Sequence, residues 1–239
     1  MNKKDFLIKE ISNIGIELND NQVEQFIKYY ELLVEWNSFM NLTGITEFEE
    51  VVIKHFVDSL SLIKAVDLKN DYSLIDIGTG AGFPGLPLKI AFPNLKVTLL
   101  DSLNKRIKFL DEVINQLGLT NIDTIHGRAE DFAKPDKLRE KYDLCVSRAV
   151  ANLSTLSEYC LPFVKLDGCF ISYKSEKLSK ELDTAKKAIF FLGGKFDNQI
   201  DFTLDNGDIY RNLVIIKKVQ KTPKQYPRKA GTATKSPIA

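Results

Sequence analysis

The stretch that decides the fold is Asp76 to Gly85, which reads DIGTGAGFPG. It places four glycines in ten residues, between the apolar pair Leu74-Ile75 and a mostly apolar run over residues 86–90. Glycines at this density between two apolar runs are typical of a strand, a tight turn and the start of a helix. In an open α/β sheet, the turn after the first strand is where ligands bind. We therefore expect a small-molecule site here.

The spacing of the glycines excludes two common ligand classes. A nicotinamide-binding turn would need a third glycine at position 83, where this chain has Phe83, and no Gly-Lys-Ser/Thr ending of a P-loop follows. What remains is an acid, one residue and G-x-G-x-G, with Asp76 two places before Gly78 and Gly80 next. A carboxylate attracts a cation and repels a pyrophosphate. The stretch thus resembles the first motif of S-adenosylmethionine-dependent methyltransferases, whose cofactor carries a sulfonium and an amino group.

The regions around the turn alternate between strand and helix patterns, which predicts a parallel α/β sheet. Residues 1–65 read as a helical extension, with expected capping pairs Asn21 with Glu24 and Thr46 with Glu49. The triplet Asp205-Asn206-Gly207 indicates a final hairpin. We expect three segments, 1–65, 66–218 and 219–239. The predicted strands are 73–77, 96–100, 122–125, 144–146, 169–173, 195–204 and 210–218. The predicted helices are 104–117, 152–164 and 176–191.

Two further strand ends offer candidate cofactor contacts. Asp101 ends the second strand, VTLLD, where an acid can accept both hydroxyls of a ribose. Alternatively, Asp101 caps the following helix. The third strand ends at HGRAED, residues 126–131, where a side chain and the backbone could read an adenine edge.

Charge is distributed unevenly along the chain. The segment from Lys217 to the end holds seven basic and no acidic residues, so it carries +7 while the rest carries −6. This asymmetry favours an anionic partner, although a solvated basic tail is the alternative. No apolar run is long enough for a membrane helix, and the three cysteines lack a C-x-x-C pair. We expect a cytoplasmic monomer with reduced thiols, no metal and no membrane partner.

Several longer stretches resemble one family. GAGFPGLPL, DSLNKRIKFL, RAE, SRAVANL and the terminal PRKAGT and KSP, with MNLTGI and KHFVDSL upstream, are similar to the ribosomal RNA small subunit methyltransferase G family, also called glucose-inhibited division protein B. The resemblance implies a Rossmann-like class I fold and methylation of N7 of a guanine in the 530 loop of 16S rRNA, in naked rRNA or the small ribosomal subunit. It also implies five cofactor contacts: Gly78, Phe83, Ala129, Glu130 and Arg148. Ala233 departs from the family, which usually has proline there, and puts the rigidity of the tail in doubt.

Guanine N7 has no proton to lose, so the predicted reaction needs no general base. Arg148 and His55 are the candidate catalytic residues. The alternatives are a structural ion pair for Arg148 and a half-buried histidine bonded to Asp58 for His55. Phe83 either packs on the cofactor or holds the helix start. In the tail, the predicted RNA contacts are Arg228, Lys229, Thr232 and Lys235.

Two other functions are compatible with these patterns. A non-catalytic, nucleotide-sensing RNA-binding module would also explain the fold and the basic tail. A small-molecule methyltransferase would leave the tail unexplained. Transfer of a labelled methyl group to RNA distinguishes these functions from the predicted one.

Overall fold

The computed structural model describes residues 2–175 and 179–238. Its centre is a seven-stranded sheet in the order β3-β2-β1-β4-β5-β7-β6. All neighbouring strands are parallel except β7, which runs antiparallel to both β5 and β6. The predicted seven-stranded, mostly parallel sheet is therefore confirmed. The strands are β1 (Ser73–Ile77), β2 (Lys96–Asp101), β3 (Ile122–His126), β4 (Tyr142–Arg148), β5 (Val164–Lys174), β6 (Gly194–Leu204) and β7 (Ile209–Lys218).

Helices cover both faces of the sheet. Neighbouring side chains of a strand lie in two different hydrophobic clusters, as Leu74 and Ile75 do in β1 and Val214 and Ile215 do in β7. The described helices are α1 (Lys3–Ser12), α2 (Asp20–Met40), α3 (Phe48–Val51), a π-helix (Val52–Val57), α4 (Asp58–Leu60), a 3-10 turn (Ser61–Lys64), α5 (Gly85–Ala91), α6 (Asn104–Gln116), α7 (Ala129–Phe132), α8 (Leu153–Cys160), a 3-10 turn (Leu161–Phe163), α9 (Ser179–Phe191), a 3-10 turn (Asp205–Gly207) and α10 (Thr232–Lys235). The expected start of α9 at Glu176 lies outside the described residues. None of the helices in the described ranges is both long and apolar enough to cross a membrane.

The N-terminal helices pack into the same cluster as α5 and α6. Gln22 on α2 donates to the carbonyl of Ile90 at 2.9 Å, and Gln25 donates to the carbonyl of Leu117 at 2.9 Å. The hydroxyl of Tyr29 donates to the carbonyl of Ala81, inside the glycine turn, at 2.5 Å. The division of the chain into three segments stays a prediction, but residues 1–65 share their core with the sheet.

Both predicted capping pairs are wrong. The capping box of α2 joins Asn19 and Gln22, two residues before the expected pair. Asn19 and Asn21 are equally good cap types, and the earlier one is used: the side-chain oxygen of Gln22 accepts from the amide of Asn19 at 2.9 Å, while Asn19 accepts from the amide of Gln22 at 3.0 Å. Helix α3 begins after Glu47 without a side-chain cap. The rest of the predicted helical extension contains a π-helical stretch and ends in a 3-10 turn.

The predicted helix 152–164 is shorter than expected. Asn152 caps α8 by accepting from the amide of Thr155 at 3.0 Å, so the predicted start is right. Helix α8 ends at Cys160 because Pro162 has no amide hydrogen to continue the ladder. A 3-10 turn follows, and β5 starts at Val164, five residues before the predicted strand.

Candidate functional site

The glycine turn lies at the carboxyl end of β1 and bonds to the neighbouring strand. The amide of Gly78 donates to the carbonyl of Leu100 on β2 at 2.8 Å. Gly78 and Gly80 adopt φ angles of +70° and +63°, in the left-handed region that side chains rarely adopt. A Cβ on Gly78 would come within 2.6 Å of Val150, whereas a Cβ on Gly80 would meet no atom within 4 Å. The space beside Gly78 is therefore filled by Val150, whereas the space beside Gly80 is open.

Two adjoining cavities, of about 370 and 120 Å³, open in front of the turn. We name them together the glycine cleft, and they share Gly78, Ser102 and Val150. The larger cavity brings together several of the predicted site residues, and the smaller one brings together two others. The larger is lined by Gly78, Gly80, Phe83, Asp101, Arg148 and His55, and the smaller by Gly78, Ala129 and Glu130.

The carboxyl group of Asp76 is buried behind the turn and does not line the cleft. One of its oxygens accepts from the hydroxyl of Thr79 at 2.7 Å and from the amide of Gly85 at 2.9 Å. The other oxygen is buried and has no hydrogen-bond partner among the described residues. Asp76 thus joins the two ends of the turn, and its direct approach to a cationic cofactor stays a prediction.

Burial raises the pKa of Asp76 to about 7, against the hydrogen bonds from Thr79 and Gly85. The folded protein therefore holds a proton that the unfolded chain releases near pH 4. The contribution of this carboxyl group to the free energy of unfolding is fully present below pH 4 and is lost as pH rises through about 7.

We expect Asp76→Asn to remove this pH dependence, because asparagine has no proton to lose and its oxygen can still accept from both donors. The unfolding free energy of the variant, relative to the unmodified protein, should rise between pH 4 and pH 7 by up to about 1.4 kcal/mol per pH unit. Urea unfolding at several pH values measures it. Parallel curves for the two proteins would contradict the assignment.

Asp101 lines the cleft and does not cap the following helix. Its carboxylate lines the cleft and accepts from the amide of Gly80 at 2.9 Å and from Arg106 at 3.1 Å. Its other oxygen accepts from the amide of Leu103, just before α6, at 2.9 Å. Helix α6 has no side-chain cap, so Asp101 ties down the loop before the helix and does not cap it; a ribose would share the carboxylate with these donors. The ribose contact stays a prediction.

Arg148, at the end of β4, forms the ion pair considered as its alternative function. Its guanidinium donates to the buried carboxylate of Asp58 at 2.8 Å and to the carbonyl of Lys54 at 3.2 Å. The second oxygen of Asp58 accepts from Arg211 on β7 at 3.1 Å. The guanidinium of Arg148 also lies 5.1 Å from the ring centre of Phe83, a cation–π distance. Arg148 is therefore held by protein groups while its side chain lines the cleft.

His55 lies against the same arginine. Its Nε2 is 2.9 Å from the hydroxyl of Thr43, and its Nδ1 is 3.3 Å from a nitrogen of Arg148. The expected alternative of a bond to Asp58 is wrong, because the two ring nitrogens lie against Thr43 and Arg148 instead. Burial, followed by repulsion from Arg148, lowers the pKa of His55 to about 3. His55 is therefore neutral near pH 7.

Phe83 both lines the cleft and packs near the start of α5. Its ring stacks on His55, with centroids 4.5 Å apart, and lines the cleft. It also packs against Tyr29 at 5.5 Å, next to the helix start at Gly85. The ring thus links the N-terminal helices to the glycine turn, and its contact with a cofactor stays a prediction.

A third cavity, of about 420 Å³, adjoins the cleft at His55, Arg148 and Ala149. We name it the arginine pocket, and it is also lined by Asp58 and Arg211. Arg211 is not among the site residues predicted from the sequence. A polar residue inside a predicted strand was the only signal, since its partner Asp58 is 153 positions away.

The tail packs on the protein instead of extending from it. Arg228 binds the buried carboxylate of Glu158 with both its side chain and its amide. Its guanidinium is therefore engaged inside the protein, although it was predicted to contact RNA. Lys229 and Lys235 are exposed, and Thr232 is half-buried at the start of α10. Ala233 is 2% exposed, so the residue that departs from the family lies in a packed part of the tail.

The remaining side chains to consider are the thiols and the possible metal ligands. Cys145, Cys160 and Cys169 are free thiols. Within residues 2–175 and 179–238, no group of three or more His, Cys, Asp or Glu residues could hold a metal ion.

Comparison with known proteins identifies strong similarities. A family model described as "GidB: rRNA small subunit methyltransferase G" matches residues 22–210. A protein of Lachnoclostridium phytofermentans named ribosomal RNA small subunit methyltransferase G is 56% identical over 97% of this chain and 96% of that relative. One of the same name from Alkaliphilus metalliredigens is 51% identical over the full length of both chains.

Solved structures with low sequence identity share the fold. TrmN from Thermus thermophilus matches with a TM-score of 0.53 and 17% identity, over 69% of this chain and 49% of that chain. TYW2 from M. jannaschii, in complex with AdoMet, matches with a TM-score of 0.53 and 16% identity, over 68% of this chain and 77% of that chain. These likenesses establish the class I methyltransferase fold.

Proposed function

The chain belongs to the rRNA small subunit methyltransferase G family, and on that premise we propose that it methylates N7 of a guanine in the 530 loop of 16S rRNA. It is an S-adenosylmethionine-dependent methyltransferase of class I fold. The observation that carries the proposal is that the glycine cleft and the arginine pocket meet at His55, Arg148 and Ala149. A base in the pocket would therefore lie beside a methyl donor in the cleft.

The residues of the glycine cleft fit S-adenosylmethionine. The open side of Gly80 leaves room for a ligand to approach the backbone. The carboxylate of Asp101 would accept ribose hydroxyls, and the guanidinium of Arg148 would bind the carboxylate of the cofactor. Glu130 and Ala129, at the far end, would face the adenine. When bound, S-adenosylmethionine supplies an electrophilic methyl group on its sulfonium.

The side chains between the two cavities suit an N7 acceptor. Because N7 carries a lone pair and no proton, the site needs to orient the guanine and has no proton to remove. The neutral imidazole of His55 adds no positive charge beside the acceptor. Arg148 is positioned by Asp58, so its guanidinium could donate to guanine O6 without first becoming ordered. Orientation of this kind can supply roughly 7 to 11 kcal/mol.

An RNA substrate accounts for the charge of the tail. Of the seven basic side chains from Lys217 to the end, five are exposed, at positions 217, 221, 224, 229 and 235. Exposed lysines can neutralise phosphates, which would position the RNA without reading its sequence. The relatives are named as methyltransferases, so a non-catalytic RNA-binding module is not supported. A cytoplasmic monomer remains our expectation.

Transfer of an isotopically labelled methyl group tests the function. Purified protein, labelled S-adenosylmethionine and either 16S rRNA or small-subunit particles should yield label in 7-methylguanosine, mapped to the 530 loop by nuclease digestion. The same RNA with its target guanine replaced by adenine is the control. Label in another nucleoside, or in no RNA at all, would contradict the proposal.

We expect Lys229→Ala and Lys235→Ala to weaken RNA binding through lost phosphate contacts. Each should reduce the slope of log affinity against log salt concentration by roughly 0.7. Arg228→Ala should leave that slope nearly unchanged, because its guanidinium is paired with Glu158. Filter binding between 50 and 200 mM salt measures the slopes. A larger change for Arg228→Ala than for the lysine variants would reverse this assignment.

A further inference from the structure

The C-terminal tail is bonded to two residues that line the glycine cleft. The amide of Gly231 donates to the carboxylate of Glu130 at 2.9 Å. The hydroxyls of Tyr159 and Thr234 are 2.8 Å apart. Glu130 and Tyr159 both line the smaller cavity, of about 120 Å³. The tail therefore lies directly behind the wall of the cleft.

Helix α8 holds the tail in this place through several further contacts. The hydroxyl of Thr155 donates to the carbonyl of Ala233 at 3.2 Å, and that of Ser154 donates to the carbonyl of Ile238 at 2.5 Å. Glu158, only 1% exposed, binds Arg228 with both carboxylate oxygens. These buried polar groups would lose their partners if the tail detached, which costs free energy for each.

We propose that cofactor binding and docking of the tail are thermodynamically coupled, with Glu130 and Tyr159 as the positioning residues between them. The inference rests on the glycine cleft being the cofactor site of the proposed function. A ligand that fixes the side chains of Glu130 and Tyr159 also fixes the partners of Gly231 and Thr234. By linkage, a docked tail then raises cofactor affinity by the same factor.

The coupling has a consequence for the RNA. Lys229 and Lys235 flank the two bonded positions and are exposed. A cofactor that holds the tail therefore also holds these two ammonium groups in place for phosphates. The enzyme carrying its cofactor should thus bind RNA more tightly than the enzyme without it.

Gly231 offers a substitution that breaks the tail's contact and little else. Its φ is +81°, a conformation closed to proline, and a Cβ there would meet no atom within 4 Å. Gly231→Pro removes the amide that donates to Glu130 and prevents the turn. Gly15 is the matched control, with a φ of +85°, open space and an amide that donates to Ser12 at 2.8 Å. It lies in the turn after α1.

The experiment uses full-length protein, S-adenosylhomocysteine as the probe, and no RNA. Calorimetry gives the affinity, and limited trypsin digestion after Lys229 gives the docking of the tail, with cleavage after the exposed Lys69 as internal reference. In the unmodified protein the probe should slow tail cleavage roughly five-fold or more. Gly231→Pro should weaken probe binding by a similar factor and make cleavage independent of the probe, while Gly15→Pro should change neither.

Each outcome bears on the coupling separately from the proposed function. Probe binding with unchanged tail cleavage, or equal affinity in Gly231→Pro and the unmodified protein, would overturn the coupling and leave the methylation of rRNA untouched. Coupling without methyl transfer to rRNA would overturn only the proposed function. If Gly231→Pro fails to fold, the pair Tyr159→Phe and Thr234→Val removes one bond at constant shape. It should weaken probe binding in the same direction, and no weakening would overturn the coupling.

Discussion

Gly80→Val should abolish measurable binding of S-adenosylmethionine while leaving the fold intact. A Cβ at this position would meet no protein atom within 4 Å, and Gly80 lines the glycine cleft. The valine would therefore occupy space that the cofactor needs, and affinity should fall at least 100-fold, or roughly 2.7 kcal/mol. Calorimetric titration with S-adenosylmethionine measures the loss.

Gly15→Val is the control for backbone strain. Gly15 has a φ of +85°, close to the +63° of Gly80, and the same open surroundings. Both variants should lose roughly 1 to 2 kcal/mol of stability from placing a side chain in the left-handed region. Only Gly80→Val should lose the cofactor. Equal affinity in the two variants would show that the ligand binds elsewhere.

Asp58→Ala should be the most destabilising of the substitutions considered. Asp58 is 3% exposed and is the common partner of Arg148 and Arg211. Its removal leaves two largely buried guanidinium groups side by side without a counter-charge. Breaking a buried ion pair from one side costs about 3 to 5 kcal/mol. Urea unfolding of the variant should show a loss of that size.

Asp183→Ala provides the comparison at the surface. Asp183 pairs with Lys186 at 2.7 Å, and both side chains are about two-thirds exposed, at 68% and 67%. Removal of this pair should change stability by less than about 1 kcal/mol. If Asp58→Ala costs no more than Asp183→Ala, the buried carboxylate does not hold the two arginines together.

The parts of the fold that local patterns determine were predictable. The run VTLLD needs no distant partner to favour a strand, because its residues suit a buried, pleated surface. The glycine turn was predictable for the same reason, since its backbone angles are available to few other residues. The hairpin at Asp205-Asn206-Gly207 was similarly local. These features led to the sheet and to the position of the cleft.

The helix details and the ion pairs depend on distant contacts and were not predictable. The π-helix at Val52–Val57 lies in a segment whose spacing predicts an ordinary α-helix. Arg211 and Asp58 are separated by 153 positions, and Arg228 and Glu158 by 70. A sequence does not show which charged residues form ion pairs. From the sequence alone, Arg228 is therefore predicted to contact RNA.

The order of the strands sets the order in which the protein can be completed during synthesis. Strand β7 is made after β6, yet it lies between β5 and β6 and, among the strands of residues 2–175 and 179–238, is the only neighbour of β6. Until residues 209–218 have left the ribosome, one edge of β5 stays open and β6 has nothing to pair with. An open, apolar edge invites pairing with other chains. Arg211 arrives on that same strand, so a nascent chain ending before β7 has an unfinished sheet and an Asp58 with one arginine instead of two.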